Sequence, residues 1–96
     1  MTYKVVVEKR ATQDIQDATD YYDEKSSQAG TNFLNEVSLF LKALEVNPNY
    51  QARYDNVRCL PLKKFPFLIH FSIEEKFVFV HAITHTSSNP NKWPKR

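Results

Sequence analysis

The 96-residue sequence predicts an α+β domain: an N-terminal strand, an antiparallel helical hairpin, then a three-stranded antiparallel sheet packed on the helices. Three observations predict it. Residues 3–8 are β-branched and aromatic, the hydrophobic period is that of a helix through residues 11–45, and the pattern turns to that of strands after residue 54. After residue 54 the apolar residues gather in β-branched and aromatic runs, FPFLIHFSI and FVFVHAI the longest of them. The chain has a single glycine, Gly30, lying between two helical stripes, and Pro48 follows the second of them.

Taken in order, YKVVVE at residues 3–8 is β-branched and aromatic and reads as the opening strand. Ala11, Ile15, Ala18 and Tyr22 then recur at i, i+4, i+7 and i+11, one face of a helix. Thr12 is its expected N-cap, and Asp14 places negative charge in the first turn, where the helix dipole favours it. Asp17, Asp20, Asp23 and Glu24 read as a solvated face. Gly30 is expected to turn the chain between the helices through a positive φ. Phe33, Val37, Phe40, Leu41 and Leu44 form the next stripe, which Pro48 should end, because proline disfavours helical geometry in the residue before it. So short a joint implies a helical hairpin. After NPNYQARYD the pattern is β, with strands expected at about 54–60, 66–74 and 77–85 and a tight turn at Glu75-Lys76.

That turn sets a register. If Glu74 pairs with Phe77, then Ile73, Phe71 and Ile69 lie opposite Val78, Val80 and Ala82 and make one apolar face for the helices. The other face pairs His70 with His81 and Leu68 with Ile83, ends at His85, and is expected to be uncovered. It also bears Phe77 and Phe79, so it would be an unusually apolar patch on a free monomer and calls for a partner segment that folds onto it.

Length and composition bound the rest. One domain, residues 1–96, is expected, with residues 86–96 as a basic, aromatic tail. Apolar content of 42% argues against disorder, and no stretch has the length of a membrane span or of a signal-peptide core. The one cysteine, Cys59, cannot staple the fold, which points to a reducing cytoplasm. His70, His81 and His85 show no metal-ligand spacing, and no cofactor motif is present. Net charge is only +2, but its distribution is uneven. Residues 1–48 carry five Lys/Arg against eight Asp/Glu, and residues 49–96 carry eight against three, so the C-terminal half is basic and suited to phosphates or an acidic partner.

The stretch DIQDATDYYDEKSSQAGTNFLNEV, then Pro48, then VRCLPLKKFPFLIHFSIEEKFVFVHAITHTSSNPNKW closely resembles the RelE/ParE family of bacterial toxins. Tyr21-Tyr22, Gly30 followed by Phe33, Val57-Arg58, Phe65-Pro66-Phe67, and His85 followed by Pro90 and Trp93 fall in the family's order and spacing. The likeness spans nearly the whole chain, through the ensemble rather than any one motif. It implies the toxin of a type II toxin–antitoxin pair, cytoplasmic and held inactive by a cognate antitoxin. RelE-like members cut mRNA in the ribosome; ParE-like members poison DNA gyrase without hydrolytic chemistry. Ribosome-dependent mRNA cleavage is the first expectation and gyrase inhibition the alternative, with a decayed member that only binds its antitoxin as a third.

For RNA cleavage the resemblance implies a metal-independent site. His85 would transfer protons and Arg58 would hold the phosphate, as catalytic residues. Lys63, Lys64, His81, Trp93, Lys95 and Arg96 would bind RNA, the tryptophan by stacking. Leu68, His70, Phe77, Phe79 and Ile83 would meet the antitoxin. Each has a plainer reading: a histidine closing a strand is more often structural than catalytic, Lys63-Lys64 suits a solvated turn, and Trp93 suits an anchor for the tail. The chain also departs from many relatives, which carry an arginine where it has Ser88, so one phosphate-binding group is missing.

Overall fold

The computed structural model describes residues 2–94. The elements run β1 (Lys4–Val7), α1 (Lys9–Lys25), α2 (Ser27–Val46), β2 (Ala52–Tyr54), β3 (Val57–Pro61), β4 (Phe67–Glu74) and β5 (Phe77–His85), closed by a short 3-10 turn at Pro90–Lys92. The expected order holds, and the sheet is larger than expected. Five strands stand in the order β1-β5-β4-β3-β2, antiparallel throughout except for β1, which lies parallel to β5. The helical hairpin supplies the crossover that a parallel pair requires. The extra strand, β2, falls in the segment that reads as irregular. Its two-residue turn, Asp55-Asn56, takes φ of 42° and 65°, as a tight hairpin turn with two left-handed residues demands.

Three local expectations are corrected. The first helix begins at Lys9 rather than after Thr12, with Glu8 in the capping position. Gly30 does not turn the chain; it lies inside α2, has no positive φ, and is buried against α1. A single residue, Ser26, joins the helices, its side chain accepting the Ala29 N–H at 3.0 Å as the N-cap of α2. Gly30 instead permits close helix approach, since a Cβ there would meet the Asp23 carboxylate.

The third correction decides where the candidate residues go. Glu74↔Phe77, Ile73↔Val78 and Phe71↔Val80 pair as the turn predicts, but the next pair is His70↔Ala82. His81 is the extra residue of a β-bulge, so His70 does not face His81, nor Leu68 face Ile83. Every side chain after the bulge changes face. Ile83 pairs with Ile69 and joins the helix-side core, and His85 pairs with Phe67, which also packs on that core. The bulge lies where β1 has ended, and the freed Ile83 N–H donates to Asp14 Oδ2 of α1 at 3.0 Å.

The main core lies between the hairpin and the sheet, with Phe33, Val37, Leu44, Ile69, Phe71, Val78 and Val80 almost wholly excluded from water. The opposite face is not bare. Val57, Cys59, Leu68, His70 and Ala82 are buried outside that cluster, and Trp93 and Tyr54 pack against His70, tilted and edge-on, with ring centroids 5.0 and 5.9 Å away. The C-terminal segment is thus folded across the sheet, tied to α1 by Arg10, whose Nη2 donates to the Lys92 carbonyl at 2.6 Å.

Candidate functional site

The catalytic pair expected from the resemblance is not brought together. His85 pairs with Phe67 on one edge of β4, and Arg58 with Phe71 on the other. Those positions are roughly 13 Å apart along the strand. The two side chains line different cavities.

His85 lines a groove of about 630 Å³ between α1 and the end of the sheet, with Arg10, Asp14, Asp17, Tyr21, Tyr22, Phe67 and Lys92. It is exposed, with its ring against Phe67 at 5.2 Å. The Ser87 N–H donates to His85 Nδ1 at 3.1 Å, and the Ser87 hydroxyl lies 2.7 Å from the same atom. Because Nδ1 is the acceptor, the neutral ring carries its proton on Nε2. The cations of this groove are Arg10 and Lys92, neither among those expected to bind phosphate. Asp14 Oδ2 lies 3.7 Å from Arg10 Nε, its carboxyl raised above the ordinary value, first by burial and against the lowering effect of the Ile83 N–H and Arg10.

Arg58 lines a polar cavity of about 460 Å³ with Asp55, Asn56 and Glu74, and its Nε and Nη1 are buried without a hydrogen-bond partner among the described residues. Lys63 and Lys64 stand elsewhere again, in the β3–β4 loop beside α2, where the Lys64 N–H donates to Glu36 Oε2 at 2.8 Å. Lys95 and Arg96 lie outside the described residues.

The two other histidines are structural. His81, expected at the surface, is buried: its Nδ1–H donates to Glu8 Oε1 at 2.6 Å, and Ser72 Oγ lies 2.8 Å from Nε2. This links the start of α1 to β5 and β4. His70 is wholly buried, with Tyr54 Oη 3.0 Å from Nδ1 and Thr84 Oγ1 2.7 Å from Nε2. Hydroxyls donate or accept, so they satisfy the neutral ring in either tautomer. Burial, then the charges of Arg10, Arg53 and His81, lower the His70 pKa from 6.5 to about 4. The same burial pushes Tyr54 up to about 12 and raises the Cys59 thiol.

Of the surface expected to meet the antitoxin, Leu68, His70 and Ile83 are buried, which leaves Phe77, exposed, and Phe79, half-buried, stacked on each other at 6.0 Å. Trp93 takes its anchoring role, with its ring 5.4 Å from Tyr54. Among the described residues no cluster of three or more His, Cys, Asp or Glu could hold a metal ion, and no helix is long and apolar enough to cross a membrane.

The groove residues that sequence reasoning passed over were marked. Arg10, Asp14, Asp17 and Tyr21 recur at i, i+4, i+7 and i+11, one position ahead of the buried stripe of α1. A polar stripe adjoining the core stripe borders whatever the helix packs against, whereas a solvated face lies opposite it.

Residues 5–90 match the family model described as the ParE toxin of the type II toxin-antitoxin system, parDE. A solved structure from P. aeruginosa, described as a chromosomal ParDE TA system, superposes with a TM-score of 0.79 at 18% sequence identity, covering 88% of this chain and 96% of that one. A comparison with curated proteins finds no match.

Proposed function

Because the chain belongs to the ParE toxin family of type II toxin–antitoxin systems, we propose that it is an antitoxin-neutralised cytoplasmic toxin that inhibits DNA gyrase by binding, without hydrolytic chemistry. The observation that carries this reading is the dispersal of the groups RNA cleavage would need. His85, Arg58 and Lys63-Lys64 border three separate cavities, whereas in-line attack by a ribose hydroxyl needs base, acid and phosphate-binding cation around one phosphorus. The Nδ1 of His85 is already occupied and its Nε2 carries the proton. Such a ring donates a hydrogen bond but is not placed to take a proton from a 2′-hydroxyl.

The test runs both targets side by side. The purified chain, added to gyrase with relaxed plasmid, should block supercoiling, and the same preparation should leave mRNA intact in a cell-free translation reaction. New mRNA ends that need ribosomes and vanish with His85→Ala would overturn the gyrase reading. One observation favours that second reading: His85 is exposed and shares its groove with Arg10 and Lys92. Under the gyrase reading, His85→Ala leaves inhibition within a few-fold of wild type.

A further inference from the structure

Among the described residues no strand pairs with the outer side of β1. It ends the strand order, beside β5. The Lys4 and Glu8 N–H groups donate to the Lys76 and Val80 carbonyls, each at 2.9 Å. Alternate residues of a strand direct their backbone groups to opposite sides, so the N–H and C=O of Val5 and Val7 point to the open edge. Such an edge is a template for another strand. Charges, prolines and bulges normally blunt it, and Val5-Val6-Val7 has none of them.

The stretch KVVVE, residues 4–8, is also its own complement. Laid antiparallel on a second copy and centred on Val6, it sets Lys4 of each copy opposite Glu8 of the other. Val5 then meets Val7, and Val6 meets Val6. Opposite charges facing each other across a strand pair stabilise it, and a shift of register would lose both pairs. Lys4 is exposed. The Glu8 side chain is 43% exposed, and although it accepts the His81 Nδ1–H, a carboxylate takes more than one donor. The faces agree as well. Val5 and Val7 pair with Val78 and Val80 of the core, whereas Lys4 and Val6 lie beside Phe77 and Phe79 on the other face.

We infer that β1 pairs with β1 of a second copy, antiparallel and centred on Val6, making a two-fold dimer with one continuous sheet. The Val5 and Val7 N–H groups of each copy donate to the Val7 and Val5 carbonyls of the other. Val6 then joins the two Phe77–Phe79 stacks into one apolar strip across the axis, which gives the exposed Phe77 a place in the assembly. A strand edge buries less than a standard interface, so the dimer is reversible and grows with concentration. His85 lies beyond the bulge, past the end of β1, so the inference involves neither its groove nor the toxin reading.

The experiment is sedimentation of the full chain over a concentration series, with Lys4→Glu, Lys4→Arg and Val6→Cys alongside. Circular dichroism and thermal melting confirm the fold of each. Wild type and Lys4→Arg should pass from monomer to dimer together. Lys4→Glu, which puts two acids opposite each other at both ends, should raise the dissociation constant about tenfold. Across the axis the two Val6 residues form a non-hydrogen-bonded pair with Cα atoms about 4.5 Å apart, close enough for a disulfide. Mild oxidation should therefore link Val6→Cys into dimers and leave the wild type, whose Cys59 is buried, unlinked. A wild-type chain that stays monomeric at every concentration overturns the dimer. A dimer that Lys4→Glu leaves intact, or that Val6→Cys does not link, overturns the pairing centred on Val6. Hydrogen exchange at the Val5 and Val7 amides that slows only when antitoxin is added assigns the edge to that protein, and overturns the dimer too.

Discussion

At the scale of the residue, histidine burial is the quantity with the clearest measurable consequence. His70 is neutral in the folded chain, with a pKa near 4 against 6.5 when free. Between those values the unfolded chain takes up a proton that the folded chain does not, so stability falls as pH drops from about 6.5 to 4. The full loss, reached below the folded value, is about 3 kcal/mol. Asp14 acts with the opposite sign, because its raised carboxyl keeps a proton in the folded state that the unfolded chain has released. Urea midpoints at pH 7 and pH 4.5 should therefore differ strongly in the wild type and much less in His70→Asn; an unchanged difference would place the acid sensitivity elsewhere. His81 and His85 show why residue type alone misleads. One is buried and bonded to Ser72 and to Glu8 at the start of α1, the other stands in water against Ser87, and nothing in "HAITH" distinguishes them.

Elements were the most legible level, because a stripe of apolar residues reports the local period directly. Both helices and the last two strands lie where the pattern puts them, the strand expected at 54–60 is split by the Asp55-Asn56 turn into the end of β2 and β3, and α2 stops at Val46, just before Pro48. The junctions were less legible, since they depend on one or two residues whose partners the pattern does not show. Ser26 rather than Gly30 makes the joint, and Ser26→Ala should cost about 1 kcal/mol, measurable as a lower melting temperature. At Gly30 an added Cβ would sit 1.7 Å from Asp23 Oδ1, the end of an exposed side chain that can swing away. Gly30→Ala should therefore be close to neutral, the helical gain of roughly 1 kcal/mol offsetting the displaced carboxylate. Gly30→Leu has no such escape between the helices and should destabilise by about 1–3 kcal/mol in equilibrium unfolding.

For the molecule as a whole, the C-terminal segment acts as the cover of the second sheet face. Trp93 packs on His70 and Tyr54, and Arg10 ties the Lys92 carbonyl to α1. Trp93→Ala should lower stability by on the order of 2 kcal/mol, less than truncation of a fully buried tryptophan. It should also raise the His70 pKa from about 4 towards 6.5, followed by NMR of the ring protons. A pKa that stays low would mean that the strands alone keep water from the imidazole. The same closure helps bury Leu68 and His70, whereas Ile83 is buried on the helix side, and the apolar surface left over lies on α2.

The sequence by itself determined the α+β class, the order of helices and main strands, the turn at Glu75-Lys76 and the family likeness. Each is written in local periodicity or in the order of residues along the chain. Tertiary structure alone decided the rest: the parallel pairing of β1 with β5, the bulge at His81 and the fold-over of the tail. Those features are made by groups 69 to 82 positions apart, Asp14 with Ile83, Glu8 with His81 and Arg10 with Lys92. One inserted residue in β5 then reversed the face of all that followed. A period-two pattern records which residues alternate, and an unpaired residue leaves no mark on it until a neighbouring strand fails to match.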